Sequence, residues 1–336
     1  MKLPRSIVHL CVAMVVAAGV SVGRLHGSVS AQAIPDARAH HQLVYHAGDG
    51  RTYLIGGSTR RDEGYHYFDD MWYWSGGVWT QINALPFPRS SHRVVYHAQR
   101  NSLILFGGGF GRAVRAEGVL WERRANLWKA IGGNFRAGAS EPELCYDRRR
   151  ETVVMFGGWD AANNFRGETW EWLATGLVHV DSGGPSPRAG HAFLYDPVLQ
   201  RCLLFGGQGT DGYHADTWEW DGVRWHQLDV TGPSARSFFG SATDPVHGRI
   251  VIFGGRGPGA PLPGRDAVGD FGDTWVWDGE QWEQLQNSGP PPRMGGQLAF
   301  TGRSIVLFGG REEQPDAFHD RNDFWELQDG SWVRRN

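Results

Sequence analysis

A pair of glycines closes an apolar run six times in this chain, at Gly56-Gly57, Gly107-Gly108, Gly157-Gly158, Gly206-Gly207, Gly254-Gly255 and Gly309-Gly310. The steps between pairs are 51, 50, 49, 48 and 55 residues. A period near 50 residues marks a repeat architecture. Each repeat holds four short apolar segments separated by turn signals. In the fourth they are Gly190-His-Ala-Phe-Leu-Tyr195, Cys202-Leu-Leu-Phe205, Thr217-Trp-Glu-Trp220 and Trp225-His-Gln-Leu228. Asp196-Pro197 interrupts the first pair. Asp221-Gly222, Asp278-Gly279 and Asp329-Gly330 read as type I′ hairpin turns, whose positive φ suits glycine. Twenty-four short strands cannot share one flat sheet without long exposed edges. Six four-stranded antiparallel blades set radially solve this, so the expected fold is all-β, a six-bladed β-propeller.

Composition agrees. The chain of 336 residues is 40% hydrophobic and contains 16 Trp, ample apolar surface for a core. All but one of the tryptophans recur at repeat-equivalent positions, as blade-to-blade packing requires. With 33 basic and 36 acidic residues the net charge is −3, which lacks the basic footprint of a nucleic-acid binder.

The diglycine after a strand, the Trp pair and the later Trp resemble the kelch repeat. Pro88-Arg89 to His92 and Pro187-Arg188 to His191 strengthen the likeness, which runs over residues 36–336. The resemblance implies a kelch-type propeller of the bacterial exported or galactose-oxidase-like kind. Such propellers serve as protein-binding modules, carbohydrate oxidases or sugar epimerases. Fold therefore does not decide function. The oxidases use a copper site with a Tyr–Cys crosslink. Secretion would permit a disulfide between Cys145 and Cys202, but they lie in strand patterns of different repeats, away from the loops, and read as two buried free thiols.

Lys2 and Arg5, the apolar run Ile7–Gly23 and Ala31-Gln32-Ala33 form the pattern of a cleaved secretory signal. The expected organisation is a signal peptide over 1–33 and a propeller over 34–336. Its blades span about 36–85, 86–136, 137–184, 185–232, 233–288 and 289–336. The product would be secreted or periplasmic, with an uncleaved membrane anchor as the alternative. Ring closure is expected from packing of blade 6 on blade 1, without a strand exchanged from either end.

With strands lettered a to d outward, the b–c loops and the d–a links share one face. Two residues before the first Trp of strand c stand Asp70, Val119, Glu168, Asp216, Asp273 and Asp323. Opening strand a stand Arg38, Arg89, Ala139, Arg188, Arg236 and Arg293. The blade without the acid precedes the blade without the base, so pairing from each blade to the next breaks nowhere. Those residues are therefore expected to form a structural inter-blade ladder. Exposed pairs of this kind each contribute about 0.2–1 kcal/mol. His41, His92 and His191 read as packed interior positions, not metal ligands.

The b–c loops are longest in blades 5, 6 and 1, and function sits most often on such loops. Tyr65, Tyr67, Arg112, Arg256, Arg311 and His319 are the candidate ligand contacts, with Arg256 and Arg311 taken as exposed. Trp159, outside the repeat pattern, is a stacking platform for a sugar or a peptide side chain, or a cover for its own blade. No catalytic signature, metal site or cofactor motif is present. The reading is a monomeric module that binds a protein or a glycan, with no nucleic acid and no membrane partner. A sugar-active enzyme and a structural envelope protein are the alternatives.

Overall fold

The structure is a computed structural model. It describes residues 33–110, 114–115, 118–135, 142–160, 162–173, 175–180, 183–259, 268–286, 288–314 and 317–336. The expected signal segment, Arg112 and Ala139 lie outside them. Six antiparallel sheets follow one another along the chain, each with four strands in the order a-b-c-d; in blade 2 the short strand Val114–Arg115 also pairs with strand b. In blade 4 these are Ala192–Asp196, Arg201–Phe205, Thr217–Trp220 and Trp225–Leu228. Blade 1 begins with Gln42–His46 and blade 6 ends with Ser331–Arg334. No helix occurs among the described residues. The fold is thus the expected six-bladed propeller.

Strand b is the centre of each core layer. Its residues are apolar without alternation because both faces are covered by neighbouring blades. Leu203, Leu204 and Phe205, and likewise Val306, Leu307 and Phe308, are at most 2% exposed. Burying each such side chain stabilises the fold by about 1.5–3 kcal/mol.

The inner rim is stitched by the main chain. The residue two after the strand-a arginine has positive φ and donates its amide to its counterpart in the preceding blade. The links are Ser91 to His40 (2.9 Å), His40 to Gly295 (3.0 Å), Gly295 to Phe238 (2.7 Å) and Phe238 to Gly190 (2.8 Å). The His40–Gly295 link crosses from blade 6 to blade 1, so the ring closes through the same bonds that join other blades. Ile34–Ala37 forms no strand, and blade 6 is complete without it.

The diglycine supplies a second inter-blade bond. Gly207 donates to the carbonyl of Arg236 in the next blade at 2.8 Å, and Gly310 to that of Arg38 at 2.9 Å. Only glycine fits here. A Cβ on Gly206 would lie 2.9 Å from the Arg236 carbonyl oxygen, and one on Gly207 would lie 2.9 Å from the His191 Cβ.

The tryptophans of strand d pack on the preceding blade, and the residue opposite each ring nitrogen varies with position in the ring. Trp225, Trp282 and Trp332 donate to Thr169 (2.9 Å), Thr217 (3.1 Å) and Thr274 (2.9 Å). Trp128 meets the Met71 sulfur at 3.3 Å. At the closing seam Phe324 holds the threonine position, and the buried Trp79 nitrogen has no partner. Trp79 packs edge-on against Phe308 and Phe324 instead, at 5.5 and 5.3 Å between centroids.

Two expectations are corrected. Asp221-Gly222 and Asp278-Gly279 are not two-residue turns; Trp277 pairs with Trp282 as Trp220 does with Trp225. The Asp221 carboxylate accepts the amides of Val223 (2.8 Å) and Arg224 (2.9 Å), which holds a four-residue connection. Asp329-Gly330, by contrast, does form the tight turn, with φ of 49° and 77°. The cysteines are not free thiols. Cys145 in strand a of blade 3 and Cys202 in strand b of blade 4 form a disulfide, with Cα atoms 6.2 Å apart. Membership of different repeats separates them in sequence, but both side chains point into the core between those two blades.

A bridge closing 57 residues restricts the unfolded chain and stabilises by about 2–4 kcal/mol. Urea unfolding with dithiothreitol should therefore give a stability lower by about that amount than without it. Alkylation of the denatured, unreduced protein should label neither Cys145 nor Cys202; labelling of both would refute the bridge.

Candidate functional site

Arginine opens strand a in five of the six blades, and in blades 1, 4, 5 and 6 it is fully buried. Arg38, Arg188, Arg236 and Arg293 are at most 1% exposed. Each forks onto the acid of its own strand c. Arg188 donates to the two Asp216 oxygens at 2.5 and 3.0 Å, and Arg236 to those of Asp273 at 2.6 and 2.9 Å. Arg38 pairs with Asp70, and Arg293 with Asp323, in the same way. Each guanidinium also donates to the carbonyl of the first glycine of its own pair, at 3.0 Å. The acid in turn accepts the indole N–H two residues on, from Trp72, Trp218, Trp275 and Trp325.

The ladder is thus intra-blade, and the expected pairing across blade boundaries is corrected. Arg188 does not meet Glu168, which pairs with Arg166 beside it, and Arg236 does not meet Asp216. What crosses the boundary is the arginine backbone: the Arg188 amide donates to the Arg166 carbonyl (2.9 Å), and its carbonyl accepts from Gly158 (2.8 Å). Blade 2 shows the cost of the missing acid. Arg89 is 2% exposed, its Nε has no partner, and its remaining bond, to the Gly107 carbonyl, is long at 3.5 Å. Burial lowers its pKa to about 10.

Burial alone would raise the Asp216 carboxyl, but the hydrogen bonds and charge of Arg188 outweigh it and hold the group below its ordinary value. Asp273 and Asp323 behave alike. His41, His92 and His191 are buried on the inner side of the same knot. Desolvation first, then the neighbouring arginine, lowers each well below the ordinary imidazole value. Among the described residues no group of three His, Cys, Asp or Glu is placed to hold a metal.

The long b–c loops of blades 1, 5 and 6 rise as two-stranded hairpins: Ser58–Arg61 with Gly64–Tyr67, Arg256–Pro258 with Val268–Asp270, and Arg311–Glu313 with Phe318–Asp320. Two acids tie them together. Asp320 binds Arg311 of its own hairpin at 2.8 and 3.1 Å, and accepts the Thr59 hydroxyl (3.1 Å) and the Arg60 amide (2.7 Å) of blade 1. Asp270 binds Arg256 at 3.1 Å and accepts the Glu313 amide of blade 6 at 3.1 Å. Arg256 also pairs with Glu313. Burial raises the Asp270 carboxyl, with Arg256 opposing the shift.

These bonds change the standing of several candidates. Arg311 is 4% exposed, not a free loop cation, and its third contact is the Tyr65 hydroxyl at 3.3 Å. Arg256 is largely enclosed by Asp270 and Glu313. Both arginines brace the hairpins, so replacing them would disturb the scaffold as well as any ligand. Tyr65 is half-exposed, with Tyr67 at 6.4 Å between rings, and His319 is exposed. Trp159 stacks on Phe165 of its own loop, with ring centres 4.0 Å apart. Between the hairpins of blades 1 and 6 lies a cleft of about 510 Å³, lined by Arg60, Arg61, Asp62, Glu313, Gln314, Ala317 and Phe318. Phe318 has the guanidinium carbons of Arg60 and Arg256 at 5.8 Å and of Arg311 at 6.0 Å from its ring centre. The bracing acids Asp270 and Asp320, and Phe318, were not among the sequence candidates. Their signal was a basic residue facing an acid across each loop.

Residues 120–310 match the KLHDC2/KLHL20/DRC7 Kelch-repeats domain. The chain belongs to the kelch-repeat family. Among curated relatives, this kelch propeller is 27% identical over 209 residues to Mei4-dependent protein 6 of Schizosaccharomyces pombe (strain 972), covering 52% of this chain and 29% of that protein. It is 29% identical over 142 residues to human Host cell factor 2, covering 38% of this chain and 17% of that protein. The chain spans less than a third of the length of either relative.

Two measurements probe the kelch knot. Asp216→Asn leaves Arg188 buried without its counter-ion and should lower the unfolding free energy by about 3 kcal/mol. Glu168→Gln, at a half-exposed pair, should cost less than about 1 kcal/mol; equal losses would restore the cross-blade scheme. The buried histidines bind protons more readily unfolded than folded. Their contribution is therefore complete above the ordinary imidazole value of about 6.5 and is lost as pH falls below it, by at most about 1.4 kcal/mol per pH unit for each ring. His191→Phe, which copies Phe239 of blade 5, should flatten the decline in urea midpoint between pH 7.5 and 5; an unchanged decline would refute this origin.

Proposed function

We propose that this kelch propeller is an exported protein-binding module whose partner docks on the b–c face above blades 5, 6 and 1. The observation that carries the reading is the set of three cross-braced hairpins framing the cleft at Arg60, Arg61 and Phe318. A rigid rim loses little entropy when it captures a partner. Exposed guanidinium groups beside an aromatic ring suit an acidic segment that also offers an apolar side chain. Family membership supports a protein-interaction role. Export is supported by the N-terminal pattern and by the Cys145–Cys202 bridge, since such bridges persist in oxidising compartments.

The test uses residues 34–336 as bait in the extracellular or periplasmic fraction of the source cell, with bound proteins quantified by crosslinking and mass spectrometry. Arg60→Glu with Arg61→Glu should reduce capture of the specific partner more than tenfold, about 1.4 kcal/mol, without moving the urea midpoint. Capture that ignores this change but responds to substitutions in the c–d turns of the other face would overturn the assignment. An intact Met1 in cytosolic protein would overturn export.

A further inference from the structure

The opposite face carries a second cleft, at the closing seam. It measures about 580 Å³ and is lined by residues that include Trp74, Gly76, Gly77, Arg303, Glu326 and Arg335. Its origin lies in the a–b turn of blade 6. Counting back from the diglycines, Asp196 and Arg201 of blade 4 correspond to Thr301 and Ser304 of blade 6. Four residues separate the first pair and two the second.

At the seams between blades 3 and 4 and between blades 4 and 5 the longer turn fills this space. Arg150 of blade 3 reaches Glu171 at 2.6 Å and the Gly222 carbonyl of blade 4 at 3.5 Å. Val198 of blade 4 abuts Gly279 of blade 5, where an added Cβ would meet it at 2.8 Å. There the equivalents of Trp74 are also engaged: Trp220 donates to Glu171 (3.1 Å) and Trp277 to Asp196 (2.6 Å). At the closing seam the short turn does not reach. A Cβ on Gly76 or Gly77 would meet nothing within 4 Å, and Trp74 lines open space.

The lining selects among ligand classes. Glu326 is 8% exposed and accepts from the Ser304 hydroxyl at 2.5 Å and from Arg335 at 2.7 Å, with Arg303 at 3.6 Å. A cation would face two guanidinium groups, and an anion would face the carboxylate. A hydroxyl both donates and accepts, so it suits the two together. Trp74 is held from behind by Trp79 and Phe324, at 5.4 and 4.6 Å between centroids, which fixes a flat apolar wall. Fixed aromatic faces with a few convergent polar groups are the make-up of a small-ligand site, and the volume fits one. We propose that this seam cleft binds a neutral pyranose unit, its C–H face on Trp74 and its hydroxyls on Glu326 and Arg335. The site is separate from the b–c face and does not rest on the docking reading above.

Saturation-transfer NMR on residues 34–336 tests this with methyl α-glucopyranoside, methyl β-galactopyranoside, xylose and N-acetylglucosamine as probes. At least one should receive saturation, strongest on the protons of one ring face, and neither sodium acetate nor ammonium chloride should displace it. Trp74→Ala should weaken binding at least tenfold, and Trp159→Ala, on the other face, should leave it unchanged. Because Trp74 also packs in the seam, Arg335→Ala at an exposed position is measured beside it and should weaken binding several-fold. No saturation of any probe, displacement by acetate or ammonium, or binding unchanged in both Trp74→Ala and Arg335→Ala would overturn the proposal.

Discussion

The guanidinium that opens blades 1, 4, 5 and 6 organises its surroundings. It neutralises the acid two residues before the strand-c tryptophan, and through that acid it orients the indole. It also caps the carbonyl of the first glycine, which lets the chain leave strand b with positive φ. Its own main chain grips the previous blade on both sides of the peptide unit. One buried cation thus sets the strand b exit, the strand c entry and the angle between neighbouring sheets. A charge withdrawn this far from water would be costly alone; the fork of matched hydrogen bonds offsets that cost.

The seams show how the same geometry admits different chemistry. Where the strand-d tryptophan faces threonine, its nitrogen is satisfied. Where it faces methionine or phenylalanine, polar contact gives way to sulfur or ring-edge contact. The closing seam trades one hydrogen bond for an aromatic cluster of Trp74, Trp79, Phe308 and Phe324. It nevertheless retains the backbone bonds of the inner rim, so the ring does not depend on any one side chain to stay closed.

Architecture was readable from the residues because the diglycine, the tryptophans and the turn signals repeat, and repetition averages out local ambiguity. The partner of each arginine was not. Val119 and Ala139 are consistent with a pairing that skips to the next blade, and a pattern of residue types carries no direction in space. The arginine is close to both blades, through its side chain in one and its backbone in the other, and the sequence cannot separate the two. The loop face was legible in outline, since length located the three hairpins. Burial within it was not: Arg311 looks like any loop arginine until its hairpin pairing with Asp320 is known. The disulfide was hidden because nothing in either strand announces which neighbouring sheet its cysteine faces.

The intra-blade pairing has an evolutionary corollary. Blades 1, 4, 5 and 6 each carry both members of their own ion pair, a glycine exit and a contiguous set of four strands. Duplicating or deleting such a unit leaves the ion pairs of the other units intact and needs no strand to find a new sheet. A pairing that reached from one unit to the next would lack this freedom, because any insertion beside an acid-deficient unit would strand a charge. Blade 2, with Arg89 and Val119, and blade 3, with Ala139 and Glu168, each lack one member of the pair without unpairing a neighbour's arginine.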